Sequence, residues 1–265
     1  MPRRPQTARL TAAEIAFAGK LADTAGAVIR RYFRRPVAII EKSDHTPVTI
    51  ADRKAEAAMR RLIRARFPAH GILGEEYGAH NPEADYVWVL DPIDGTKSFI
   101  SGIPLFGTLI ALTYRGKPVL GVIDQPILKE RWVGAIGRRS TLNGRPIKTR
   151  LCPRLDRATL FATSPDMFRQ RAKAAFERLR RQVKLARFGG DCYAYALLAT
   201  GFIDLVVEVD LKPYDYCALA PVIAGAGGIM TDWNGRPLDL VSDGRVIASG
   251  DHALARRVQR VLAAG

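Results

Sequence analysis

The chain has 265 residues, 48% of them hydrophobic, and a formal net charge of +15. This size permits a substantial core, in one large domain or in two closely packed halves. The charge fits a nucleic acid, membrane or anionic small-molecule partner, although a solvated basic surface is the simpler interpretation. Three sparse cysteines argue against a disulfide framework, and no signal peptide is visible, so a cytoplasmic location is expected. The longest apolar stretch, residues 194–209, is interrupted by Gly201, Asp204 and Glu208, so it does not suit a membrane span, which needs ~20 apolar residues.

The first part of the chain predicts two helices with a strand between them. A helix is expected from Leu10 to Arg35, because Thr11 and Glu14 form a capping box and apolar residues follow at helical spacing. A strand is expected over residues 37–41. A second helix is predicted from Ala51 to Phe67.

Short apolar stretches then predict an antiparallel meander. Glycine-containing turns at residues 115–117 and 143–144 favour tight hairpins. Residues 78–85 have the composition of a loop. Strands are predicted over residues 72–74 and 86–90, and the meander over residues 105–114, 118–124, 131–136 and 140–147.

Beyond Pro153 helices and strands alternate. The predicted strands cover residues 158–163, 183–188, 202–209, 229–233 and 245–249, and the predicted helices cover residues 166–181, 192–200, 212–226 and 252–264. This pattern, after a long antiparallel section, predicts layered α and β structure rather than a simple doubly wound sheet. We place the boundary between the halves 1–150 and 151–265.

The segment Asp91-Pro92-Ile93-Asp94-Gly95-Thr96 follows a predicted buried strand and contains the strongest chemical signal. Two carboxylates at a strand end are hard oxygen ligands that suit Mg²⁺. Gly95 and Thr96, where a short helix could begin, offer backbone N–H groups and a hydroxyl to a phosphate. One loop could therefore hold both a metal and an anion.

This segment closely resembles the core motif of the inositol monophosphatase family of Mg²⁺-dependent, lithium-sensitive phosphomonoesterases. Gly74-Glu75-Glu76 precedes it, and Tyr214-Asp215 and Gly225-Ala226-Gly227-Gly228 follow it in the family's order. The two aspartates are three positions apart, whereas those of haloacid-dehalogenase phosphatases are two apart. The resemblance implies an α+β fold, specifically the layered αβαβα sandwich shared with fructose-1,6-bisphosphatases.

The resemblance also implies a set of site residues and two or three Mg²⁺ ions. One metal would bind Glu75, Asp91 and the Ile93 carbonyl, and a second would bind Asp91, Asp94 and Asp215. Glu75 and Thr96 would orient the attacking water, and Gly95 and Thr96 would bind phosphate. Four carboxylates in one cleft would repel each other unless cations were bound, which agrees with this assignment.

Asp52 has two compatible interpretations. It is an acid in the first turn of a predicted helix, where the helix dipole favours it. It also ends the segment Lys42–Asp52, which resembles the family's loop over the metals and gives Asp52 a catalytic role.

Within the family the chain looks most like the histidinol-phosphate phosphatase branch, on residues 42–49, 189–195 and 212–216. Histidinol phosphate carries an amine, so Asp191 and Glu208 are candidate substrate-binding acids, and Asp215 is assigned to substrate binding as well as to the metal. Asp191 could instead be a helix N-cap after two glycines. Related substrates, inositol monophosphate or a nucleotide 3′-phosphate, remain alternatives.

A different class of function also remains open, a basic polyanion-binding protein with an inactive phosphatase fold. Its only support is the net charge. We expect a small phosphorylated substrate, no specific nucleic acid and no membrane partner. The family resemblance suggests a homodimer.

Overall fold

The computed structural model describes residues 10–36, 39–41 and 47–264. Its helices are α1 (Ala12–Ile29), α2 (Ile50–Arg66), α3 (Thr96–Ile100), α4 (Gln170–Arg180), α5 (Asp191–Ala199), α6 (Pro213–Tyr216), α7 (Leu219–Gly225) and α8 (His252–Ala263). Its strands are β1 (Ile39–Glu41), β2 (Pro47–Thr49), β3 (Gly71–Gly74), β4 (Gly78–His80), β5 (Tyr86–Asp94), β6 (Gly107–Tyr114), β7 (Lys117–Gln125), β8 (Glu130–Ala135), β9 (Thr141–Leu142), β10 (Arg145–Pro146), β11 (Thr159–Ala162), β12 (Leu185–Phe188), β13 (Leu205–Glu208), β14 (Ile229–Thr231) and β15 (Val246–Ser249).

The first sheet has eight strands in the order β10-β9-β8-β7-β6-β5-β3-β4. From β5 to β10 consecutive strands pair antiparallel, which confirms the predicted meander. Two-residue turns close both predicted hairpins, and all four turn residues have positive φ, from 48° at Arg115 and Asn143 to 78° at Gly116 and Gly144. Positive φ at both positions matches the twist of the paired strands.

The central strand β5 shows how this sheet is buried on both faces. Trp88 and Leu90 pack against residues of α1 and α2. Val87 and Val89 point to the opposite face and pack against α5 and α7. Because successive side chains alternate between faces, one apolar strand serves two cores.

The second sheet has five strands in the order β12-β11-β13-β15-β14. Its Val206 and Ala248 share the core of α5 and α7, while Leu205 and Ile247 pack with α4 and α8 on the outer side. The layers are therefore helices, eight-stranded sheet, helices, five-stranded sheet and helices. The αβαβα sandwich is confirmed, while the division at residue 150 stays a prediction.

Helix boundaries differ from the predictions where local geometry overrides the pattern. The capping box of α1 is present, with Thr11 N–H donating to Glu14 Oε2 at 2.7 Å. The helix ends at Ile29 rather than Arg35, since the next residues form tighter three-residue turns and Arg34 adopts φ 56°. The helix predicted over residues 212–226 is two helices, because Pro221 has no N–H to bond back across the break.

Two further predictions need correction or fall outside the described residues. Residues 78–80, predicted as loop, form the exposed strand β4, which pairs with β3 at the sheet edge. The polar segment Lys42–Thr46 lies outside the described residues.

Among the helices of residues 10–36 and 47–264, none has the length and apolar character needed to cross a bilayer.

Candidate metal and phosphate site

Parallel pairing of β3 and β5 brings the first two predicted ligands together. Gly74 is opposite Leu90 in the register, so Glu75 and Asp91 both follow at the carboxyl end of the pair. The Glu75 N–H donates to the Leu90 carbonyl at 3.1 Å. Asp91 is 2% exposed, and Glu75 is half-buried beside it.

An irregularity at the end of β5 turns the next carboxylate into the same space. The β5–β6 register shifts between Asp91 and Asp94. Asp91 Oδ1 accepts the Ile93 N–H at 3.0 Å, and the Ile93 carbonyl accepts the Thr96 hydroxyl at 3.1 Å. Gly95 has φ 87°, a left-handed conformation that favours glycine, and α3 starts at Thr96.

Asp215 arrives from the other half of the chain. It lies in the first turn of α6, after Pro213 at the helix start as predicted, and its Oδ2 accepts the Lys212 N–H at 2.6 Å. One oxygen each of Asp91, Asp94 and Asp215 lies within 4.8 Å of the others. This all-oxygen donor set suits a hard cation such as Mg²⁺.

The pKa values of these carboxyl groups indicate the cost of placing them together. Burial, followed by repulsion from Glu75, Asp94 and Asp215, raises the pKa of Asp91 well above its ordinary value. Burial and its acidic neighbours, among them Glu75 and Glu208, raise the pKa of Asp215 to about 7. A bound cation would relieve both desolvation and repulsion, so the residues present fit a metal site.

Asp191 lies next to the motif loop but is not a helix cap. The N-cap of α5 is Gly190, and Asp191 is the first helical residue, with φ 43°. Its Oδ2 accepts the Ser98 hydroxyl at 3.1 Å and would lie 3.0 Å from a Cβ added at Gly95. The capping interpretation is therefore wrong, and burial raises the pKa of the Asp191 carboxyl.

Glu208 ends β13 and is 2% exposed. Its two oxygens accept the Thr163 N–H at 2.6 Å and the Tyr195 hydroxyl at 2.8 Å. Burial is the main reason that its pKa rises to about 7. Together with Asp94, Asp191 and Asp215, it lines a cavity of about 130 Å³.

Asp52 takes part in a capping box at the start of α2. The N–H and hydroxyl of Thr49 donate to its Oδ2 at 2.9 and 2.6 Å. Burial raises the pKa of Asp52 to about 6, with a smaller contribution from Glu75. The helix-start interpretation is confirmed, while a catalytic role stays a prediction.

Several supporting groups were missed from the sequence. The Cys192 N–H donates to Asp94 Oδ2 at 2.6 Å, which links the two halves through a backbone group that no sequence pattern displays. Glu56 is fully buried and accepts the Glu76 N–H at 2.8 Å. Its signal was available, because Glu56 and Arg60 follow Asp52 at four-residue intervals on a helix face that is otherwise apolar.

Comparison with known proteins decides the family. The sequence model of the inositol monophosphatase family matches residues 12–263 of this chain. The chain belongs to this family. Inositol monophosphatase family members are metal-dependent phosphatases, which gives the general reaction as phosphate ester hydrolysis.

Curated relatives within the inositol monophosphatase family point to more than one substrate. The bifunctional phosphatase IMPL2 of Arabidopsis thaliana is 61% identical over 82% of this chain, and the match covers 63% of the plant protein. The histidinol-phosphatase of Chlorobaculum parvum is 36% identical, covering 92% of this chain and 95% of its own. A solved inositol monophosphatase from Zymomonas mobilis is 49% identical with a TM-score of 0.88, covering 96% of this chain and 99% of its own.

Proposed function

We propose that this protein is a Mg²⁺-dependent phosphomonoesterase that hydrolyses L-histidinol phosphate to L-histidinol and phosphate. The observation that carries the reaction type is the convergence of Asp91, Asp94 and Asp215, with Glu75 beside Asp91. In this proposal two or three Mg²⁺ ions bind these carboxylates and the Ile93 carbonyl. Bound Mg²⁺ would neutralise phosphate charge and lower the pKa of a water molecule.

The motif loop supplies the groups that orient the reactants. The Thr96 hydroxyl donates its proton to the Ile93 carbonyl, which leaves its oxygen lone pairs to accept a hydrogen bond from water. The Glu75 carboxylate is a second acceptor for that water. At the start of α3 the Gly95 and Thr96 N–H groups precede the intrahelical ladder and can donate to phosphate oxygens.

The acidic cavity favours a substrate whose alcohol portion carries a positive charge. Asp191 and Glu208, which we propose as substrate-binding residues, lie on the side of the cavity formed by the C-terminal half. Histidinol carries an amine, whereas inositol and glycerol are neutral. A buried carboxylate is costly unless it is paired, so an ammonium group gains more in this cavity than a hydroxyl does.

The decisive experiment compares kcat/KM for histidinol phosphate, inositol 1-phosphate, a nucleotide 3′-phosphate and glycerol phosphate, each with Mg²⁺ and with EDTA. We expect histidinol phosphate to exceed each other ester by at least about tenfold, the value of one charged hydrogen bond. A higher value for inositol 1-phosphate or a nucleotide 3′-phosphate would assign the chain to that activity. A homodimer and a cytoplasmic location remain predictions.

The polyanion-binding alternative predicts no hydrolysis of any ester and salt-dependent binding to nucleic acid. It gives no reason for four carboxylates with raised pKa values, those of Asp94, Asp191, Glu208 and Asp215, around one small cavity. The site geometry therefore favours the enzyme.

A further inference from the structure

The inner face of α2 carries a buried polar stripe. Asp52, Glu56 and Arg60 are spaced four residues apart and are 1%, 0% and 6% exposed. The neighbouring inward residues, Met59 and Ile63 among them, belong to the apolar core. Buried ionisable groups lower stability unless they are paired and hydrogen-bonded, so the contacts of this stripe show what it does.

Glu56 and Arg60 contact the backbone of the turn that follows β3. Glu56 accepts the Glu76 N–H at 2.8 Å and the Tyr77 N–H at 3.2 Å. The same carboxylate accepts Arg60 Nε at 2.7 Å, and Arg60 donates in turn to the Gly78 carbonyl. Three consecutive residues after Glu75 are thereby bonded to one ion pair.

The helix α2 approaches the chain closely just before this turn. A Cβ added at Gly74, the last residue of β3, would overlap Glu56 Oε1, so the glycine is required for the carboxylate to reach the turn. On the outer side the Tyr77 ring faces the guanidinium groups of Arg53 and Arg60, with carbons 6.0 and 5.9 Å from the ring centre. The turn is therefore held at its start, along its backbone and at its exposed side chain.

We propose that Glu56, supported by Arg60, is a positioning residue that fixes the Glu75 turn in the conformation required for metal binding. This inference rests on the proposed function, in which Glu75 binds Mg²⁺. Mg²⁺ demands near-ideal octahedral geometry, so a ligand on a turn with freedom to move binds it less tightly. Mutation of a group that orients a metal ligand without touching the metal commonly lowers metal affinity by about 10–100-fold.

The first test is Glu56→Gln, measured by calorimetric titration of the full-length protein with Mg²⁺ in the absence of substrate. The amide oxygen can still accept one N–H, but the charge that holds both N–H groups and Arg60 is gone. We expect the Mg²⁺ dissociation constant to rise about tenfold. At saturating Mg²⁺, kcat should return to within about twofold of the wild-type value, because Glu56 does not touch the reacting groups.

A second variant separates positioning from stability. The double change Glu56→Met and Arg60→Met replaces the ion pair by apolar side chains, a replacement that often leaves stability unchanged or improved. It still removes the acceptor for both turn N–H groups. We expect a melting temperature near the wild-type value together with weakened Mg²⁺ binding.

Asp204→Asn is the matched control. Asp204 is also fully buried, bonds to Arg150 at 2.6 Å and accepts the Thr159 N–H at 2.8 Å. Its hydrogen bonds join it to Arg150, Thr159 and Gly250. This variant should lower the melting temperature and leave Mg²⁺ affinity within about twofold of wild type.

The outcomes distinguish the inference from the proposed function. If wild type binds Mg²⁺ and the Glu56 variants bind it equally well, the positioning role is wrong and the function stands. Failure of both Glu56 variants to fold would assign the pair to stability alone and would also overturn the inference. If the wild-type protein does not bind Mg²⁺, the proposed function itself fails.

Discussion

Replacing Asp215 by asparagine should stabilise the metal-free protein at pH 8 while removing its response to Mg²⁺. In the folded chain the pKa of Asp215 rises from 3.8 to about 7, mainly through burial. Such a carboxyl group contributes stability below pH ~4 and loses that contribution as the pH rises through about 7. An asparagine oxygen can still accept the Lys212 N–H, but carries no charge to desolvate.

The expected increase in melting temperature follows from the same pKa shift. Moving the pKa of Asp215 from 3.8 to about 7 corresponds to about 4 kcal/mol of lost stability once the group is ionised. For a chain of this size, 1 kcal/mol shifts the melting temperature by about 2–4 °C. We therefore expect Asp215→Asn in EDTA to melt on the order of 10 °C above wild type at pH 8 and roughly 5 °C above it at pH 5, where the carboxyl group of the unfolded chain is already mostly ionised.

Thermal melts in EDTA and in Mg²⁺ at both pH values test this reasoning. Mg²⁺ should raise the melting temperature of the wild type at pH 8 and leave that of Asp215→Asn much less changed. The buried ion-pair variant Asp204→Asn serves as the control and should melt below wild type at both pH values. An Asp215→Asn protein that melts below wild type at pH 8 in EDTA would refute the electrostatic account of the site.

Three further predictions concern turnover. EDTA should abolish hydrolysis and Mg²⁺ restore it, and Asp91→Asn should remove nearly all activity while circular dichroism shows an intact fold; full activity in EDTA would contradict the metal assignment. Thr96→Ala should lower kcat by about 10²–10³-fold with little change in calorimetric Mg²⁺ affinity, and an unchanged kcat would deny Thr96 a role in orienting water. Asp191→Asn and Glu208→Gln should each lower kcat/KM for histidinol phosphate by about tenfold to a hundredfold and affect glycerol phosphate much less; equal losses on both esters would remove the physical basis for the histidinol assignment.

The sequence alone predicted the features that depend on local pattern. Thr11 and Glu14 marked a helix start, and the paired turn residues at 115–116 and 143–144 marked two hairpins, because these signals act within a few residues. The family motif around Asp91 predicted the layered fold, which the structure confirmed. The break between α6 and α7 was missed, although its cause, the missing N–H of Pro221, can be read from the sequence.

Only the tertiary structure decided which groups hold the residues of the metal and phosphate site in place. Asp94 is held by the N–H of Cys192, 98 residues away, and Asp191 accepts from Ser98, 93 residues away. Neither contact has a sequence signal, because a backbone N–H is the same at almost every residue and a serine hydroxyl is common on any surface. The Glu56 contacts likewise arise because α2 packs across the end of β3, bringing its carboxylate against Gly74. Local periodicity fixes which face of a helix is buried, whereas the atoms that face it are set by the packing of segments distant in the chain.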